Sequence, residues 1–189
     1  MNDFLDNIYG ILFSPKETFD KLIQNPPIFQ GFIIVLLVSI ISPLVNFEFC
    51  ESIKCIFLLG FKIFSSAFIG VVSWLFFASF IEIVASVFKQ PGRIKEFLTL
   101  SAFALFPWVF IAPVELVKSA GILGNVFGIL FGFVIWLWVT VLTFIAVMKT
   151  YSLSFGRTVI LLTLPFFAGF LAFNWIVGFF VTLFNILRV

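Results

Sequence analysis

Residues 122–148 read ILGNVFGILFGFVIWLWVTVLTFIAVM, twenty-seven positions without one charged side chain. At 1.5 Å per residue such a run is longer than the roughly 30 Å hydrocarbon core of a bilayer, and about 20 apolar residues already suffice to cross it. Four further stretches meet the same test: Phe29–Phe47, Ile63–Phe88, Phe97–Val117 and Val159–Leu187. Polar punctuation separates them at Glu48–Lys54, Lys89–Glu96, Lys118–Gly121 and Lys149–Arg157. The pattern predicts an all-α, polytopic membrane protein, a five-helix transmembrane bundle over residues 28–189. Residues 1–27 precede it as a short amphipathic region on the cytoplasmic side.

Composition agrees. Of 189 residues 62% are hydrophobic, 20% aromatic and only 11% charged, against about a quarter charged in an ordinary soluble domain. Thirty-one phenylalanines exceed what one aqueous core of this size can hold, so most apolar side chains must face acyl chains or neighbouring spans. A net charge of +2 gives no case for a nucleic-acid partner. With no histidine and two cysteines, Cys50 and Cys55, the chain lacks ligands for a zinc site of the usual kind and cannot host a histidine base. No phosphate loop, dinucleotide fingerprint or metalloprotease motif is present, so the expectation is no enzyme, no catalytic residue, no cofactor and no metal. Cys50 and Cys55 fall in the first outer loop and read as free thiols, or as a local disulfide if that loop faces an oxidising compartment.

In the N-terminal region, Phe4, Leu5, Ile8, Ile11 and Leu12 recur at helical spacing, while Asn2, Asp3, Asp6 and Asn7 fall on another face. A helix lying along the membrane surface is expected, anchored by its apolar stripe. Ser14-Pro15-Lys16-Glu17 signals a second helix, with Ser14 as cap, Pro15 in the first turn and Glu17 completing a capping box. Asn25-Pro26-Pro27 ends it. Acidic residues among positions 2–26 argue against a cleaved signal peptide.

Basic residues near span ends set orientation. With five spans, Lys16, Lys21, Lys89, Arg93, Lys95, Lys149 and Arg157 share the side of the N-terminus, against Lys54, Lys62, Lys118 and Arg188 on the other. This bias predicts a multi-pass protein of the cell membrane with its N-terminus cytoplasmic and its C-terminus on the opposite side.

Several motifs in order carry a family resemblance. They are Leu12-Phe13-Ser14-Pro15-Lys16-Glu17-Thr18-Phe19, Pro26 before the first of five spans, a Gly92-containing turn leading to Phe97-Leu98 and Pro107, and Tyr151-Ser152-Leu153-Ser154 before Arg157 and Pro165. Together they resemble the Yip family, named for proteins that interact with Ypt/Rab GTPases. The resemblance implies a five-span membrane domain and a role in membrane organisation or traffic through homo- or hetero-oligomers. The long cytosolic arm of eukaryotic members has no counterpart in the roughly 27 residues before the first span, which argues against a GTPase partner and for a compact, prokaryotic inner-membrane type.

Two sets of residues stand out as candidate sites. Gly124, Gly128 and Gly132 recur every fourth position and clear one stripe of the fourth span for close helix packing, within the bundle or against a second copy. Glu82 lies seven positions before Lys89, about 10 Å up the helix, deep enough to require protonation or a partner. With Asn174 and the helix-interrupting Pro107 and Pro165 it forms a candidate intramembrane polar site. Two functions follow. One is association with itself, other membrane proteins or membrane lipids; the other is a small ion, proton or solute transporter using Glu82.

Overall fold

A computed structural model describes residues 2–45, 53–88, 91–118 and 121–187. Helices α1 (Asn2–Phe13) and α2 (Pro15–Gln24) form a short hairpin, followed by α3 (Ile28–Val45) and α4 (Ile53–Val87). Next come α5 (Ile94–Ala104), a 3-10 turn (Phe106–Phe110) and α6 (Ile111–Lys118), then α7 (Gly121–Thr150) and α8 (Phe155–Leu187). Among the described residues five segments are long and apolar enough to cross a membrane, the third being the composite Ile94–Lys118.

That third segment is the axis of the bundle. In α5 every residue from Phe97 to Ala104 except Leu98 is buried, and α3, α4 and α7 pack around it. By contrast, α4 and α8 turn most of their side chains outward, as helices facing lipid must when lipid and core are equally apolar. The third span is expected as one continuous stretch, yet it breaks between Ala104 and Ile111. Pro107, in the first turn of the 3-10 segment, has no N–H to continue an α-helical ladder. Pro43, Pro113 and Pro165 stay inside helices. The second span starts ten residues earlier than the hydropathy boundary at Ile63, because α4 carries Lys54 and Lys62 within its first turns. A long lysine stem reaches the interface from inside a helix.

The N-terminal region packs on the bundle. Ile11 is fully buried, and it joins Phe19, Leu22, Ile34, Leu100, Phe103 and Leu142 in one core cluster against which Phe4 and Ile8 also pack. Of the expected stripe, Phe4, Ile8 and Ile11 dock onto the end of the bundle, whereas Leu5 is exposed and forms an outward apolar face with Tyr9 and Phe13 at four-residue spacing. Polar contacts fix this lid: Asn7 Nδ2 donates to Gln30 Oε1 at 3.2 Å, Lys21 Nζ to Asn7 Oδ1 at 3.4 Å, and Lys149 Nζ to Asp20 Oδ2 at 2.5 Å. The capping box is not formed. Ser14 occupies the N-cap position with no side-chain cap bond; its backbone N–H is used by Gly10 C=O, and its own C=O accepts from the Thr18 N–H and hydroxyl.

Close helix approach occurs at Gly128 of the expected stripe, against Lys118 of α6, and also at two glycines outside it. A Cβ added at Gly70 would stand 1.9 Å from Ser39 Oγ and 2.7 Å from Ser39 Cβ, so α3 and α4 meet where glycine faces serine. Ser66 Oγ donates to Ser39 C=O at 2.7 Å beside this crossing. At Gly31 a Cβ would lie 3.0 Å from Ala102 Cβ, setting α3 against α5. Cys55 is disulfide-bonded rather than a free thiol. Cys50 lies outside the described residues, as do Lys89 and Arg188 of the charge count.

Candidate functional site

Glu82 sits one and a half turns before the end of α4 and is half-buried. Its Oε2 accepts the Tyr151 hydroxyl at 2.5 Å and its Oε1 accepts the Arg93 N–H at 2.8 Å. Arg93 in turn donates from its guanidinium to Thr150 C=O at 3.1 Å. One carboxylate thus ties the end of α4, the turn entering α5 and the exit from α7. Local structure delivers each partner. Gly92 lets the turn pass close beneath the carboxylate, since a Cβ there would lie 3.2 Å from Glu82 Oε1. Arg93 is the N-cap residue of α5. Tyr151 follows the last residue of α7 directly, and a left-handed Ser152 (φ 49°) then redirects the chain toward α8. The Tyr151 ring is buried against Phe97, with centroids 5.7 Å apart, in a cluster that includes Ile81, Val147 and Leu161.

Burial first, then the hydrogen bond to Glu82 and the negative charges of Glu82 and Glu96, raise the Tyr151 phenol above its ordinary value. It remains a donor throughout the neutral range. Because the folded value is raised, the neutral phenol's contribution is complete below the unfolded value and is lost as pH rises above about 10. Thermal unfolding in detergent should therefore steepen in its alkaline decline above about pH 10, and Tyr151→Phe should remove that component. Equal alkaline slopes in the two proteins would contradict the assignment. Beside this brace the Thr150 hydroxyl is buried with no hydrogen-bond partner among the described residues.

The expected polar site does not assemble around Glu82. Asn174 is exposed on α8 and donates to Phe170 C=O of its own helix at 2.7 Å. Pro107 is buried in the 3-10 turn, outside the cluster that holds Tyr151. Pro165 lies within α8. Nor is the α7 stripe uniform: Gly124 and Gly128 are buried, Gly128 beneath the Lys118 stem, whereas a Cβ at Gly132 would meet nothing within 4 Å. The partners missed from sequence, Tyr151 and Arg93, carry a signal only in hindsight. Each stands beside a span end, where a polar group can reach back to a charge left in the last turns of a helix.

A second feature is a cleft of about 450 Å³ between α3, α4, the broken third span and α7. Its walls are mainly apolar, with Trp74 and Trp108 among them. Trp74 Nε1 donates to Ser101 Oγ at 3.0 Å at one end, and Glu115, paired with Lys118 at 2.6 Å, lines the other. Among the described residues no three His, Cys, Asp or Glu side chains gather as metal ligands would.

Comparison with known proteins decides the family, because the Yip1 domain model matches residues 9–176. The chain belongs to the Yip1 domain family. This Yip1 domain extends from the middle of α1 to the outer half of α8, so it takes in both the lid and the Glu82 brace. An uncharacterized protein of Methanocaldococcus jannaschii is 32% identical over 114 residues, an alignment covering 54% of this chain and 81% of the relative. No solved structure matches.

Proposed function

We propose that this Yip1 domain is a non-enzymatic membrane protein that acts by association with itself, other membrane proteins or lipids, in membrane organisation. The observation that carries the reading is a polar side chain, Asn174, on the outward apolar face of α8. Thr158 and Leu161 in its first turns are buried, but beyond them Phe167, Phe170, Leu171, Phe173, Trp175 and Phe179 all stand exposed. Within this outward face Asn174 offers an amide whose oxygen accepts no hydrogen bond among the described residues. An amide in apolar surroundings gains by pairing across helices, and a second amide is its self-complementary partner. The N-terminus is assigned to the cytoplasmic face, which fits the gathering of Arg93, Lys149 and the lid helices with Lys21 at one end of the bundle.

The mass of the protein in nanodiscs tests this. The wild type should form an oligomer or carry a reproducible protein partner. Asn174→Leu should weaken self-association about threefold, the scale of one interhelical side-chain hydrogen bond in lipid. A partner-free monomer at every protein-to-lipid ratio would refute the association reading. The transporter alternative draws no support from Glu82, whose two oxygens are both engaged in bracing loops.

A further inference from the structure

The cleft between α3, α4 and the third span has a directional character that association through α8 leaves unused. Chain direction orders its walls. The helix α3 runs away from the lid and contributes Val35 first and Val45 last, a separation of about 15 Å along the axis. The third span runs the same way and contributes Ser101 first and Glu115 last. The end nearer the lid is therefore closed by the Trp74–Ser101 pair, and the far end carries a carboxylate with its neighbouring ammonium. Between them the exposed wall is mainly aliphatic and aromatic carbon, with the small hydroxyl residues Ser39, Ser42, Ser73 and Thr143 set among it. A volume of about 450 Å³ falls within the range of small-ligand sites, which are mostly apolar with a few placed polar groups.

We infer that this cleft binds one acyl chain of a phospholipid whose headgroup is zwitterionic and carries a primary amine. The chain lies along the apolar walls toward Trp74, and the headgroup sits at the far end. There the lipid ammonium donates to the Glu115 carboxylate and the lipid phosphate accepts from Lys118. The charge pattern selects this class. Glu115 and Lys118 present one negative and one positive group 2.6 Å apart, each side chain about a quarter to a third exposed and so still open to a second partner. An anionic headgroup would satisfy Lys118 but meet Glu115 as a like charge, and a choline headgroup has no N–H to donate. The break at Pro107 contributes too, because the 3-10 turn places Trp108 and Leu105 on the cleft wall.

Trp74 and Trp108 provide the readout. In protein with Trp136, Trp138 and Trp175 changed to Phe, only these two cleft tryptophans emit. Nanodiscs of phosphatidylcholine would carry a small, equal fraction of brominated-chain phosphatidylethanolamine or brominated-chain phosphatidylglycerol. Quenching by the ethanolamine lipid should exceed that by the glycerol lipid about threefold, the scale of one partly exposed ion pair. Glu115→Gln should equalise the two lipids. Ser73→Leu, or Thr143→Leu should the first fail to fold, should plug the cleft and abolish the excess quenching without changing the melting temperature. Equal quenching by both lipids in the parent protein, or excess quenching that survives a folded plug, would overturn the inference and leave ordinary boundary lipid. Mass recorded from the same discs separates this site from assembly through α8: loss of the oligomer with selective quenching retained counts against association alone.

Discussion

Gly70→Leu should cost the bundle about 3 kcal/mol, the upper part of the usual overpacking range, or prevent assembly of α3 with α4 altogether. Even a methyl group at this position would stand 1.9 Å from Ser39 Oγ and 2.7 Å from its Cβ, far inside the 3.5–4.0 Å of comfortable carbon contact. Neither atom can swing away at no cost. The Ser39 hydroxyl donates to Val35 C=O at 2.7 Å, and the adjacent backbone is held by Ser66. Gly70→Ala should therefore be destabilising although alanine is the better helix former by about 1 kcal/mol. Removing the obstacle provides the control, since Gly70→Ala combined with Ser39→Gly should be more stable than Gly70→Ala alone. Gly128→Ala should also destabilise, though less than Gly70→Ala, because a methyl there meets Lys118 Cγ close to its backbone while Lys118 Nζ is held by Glu115, and Gly132→Ala should change stability by less than about 0.5 kcal/mol. Equilibrium unfolding in mixed micelles ranks the five variants. If Gly128→Ala proved the most damaging, the assignment of the close crossing to Gly70 would be wrong.

The contrast between these glycines indicates what sequence can carry. Gly124, Gly128 and Gly132 draw attention because their periodicity lies within one helix. Gly70 and Ser39 belong to two helices, and no spacing rule connects them. The five spans were legible for the opposite reason: lipid imposes its requirement segment by segment, each run having to be long and apolar by itself. Their ends were less so, because lysines at positions 54 and 62 interrupt hydropathy without ending α4. In α1 the spacing identified the helix and a stripe of Phe4, Leu5, Ile8, Ile11 and Leu12, of which Phe4, Ile8 and Ile11 pack on the bundle and Leu5 is exposed, because an apolar stripe is equally suited to a bilayer and to the end of a bundle. The same limit applies to Glu82. Its need for a partner could be argued from depth alone, whereas its partners stand 11 and 69 residues away and become neighbours only when the turns before α5 and after α7 are folded. Asn174 was grouped with it by residue type, and its amide is partly satisfied one turn back on its own helix.

Glu82→Ala should lower stability by about 2 kcal/mol, the scale of hydrogen bonds to a charged group, because it strands the Tyr151 hydroxyl and the Arg93 N–H together. Glu82→Gln should cost about half as much, since an amide oxygen still accepts one of the two donors. The informative experiment is the cycle with Tyr151→Phe. If the carboxylate braces the loops, the double variant should be less damaged than the sum of the single variants, with a coupling of at least about 0.5 kcal/mol. A purely additive result would mean that the contact contributes nothing of its own and that Tyr151 acts through packing on Phe97. Flux measured on the same variants in liposomes decides between bracing and transport. A brace predicts that Glu82→Gln changes stability and leaves proton and ion permeability at the level of empty vesicles in both proteins. A proton-dependent flux in the wild type, lost in Glu82→Gln while the fold survives, would assign the carboxylate to transport.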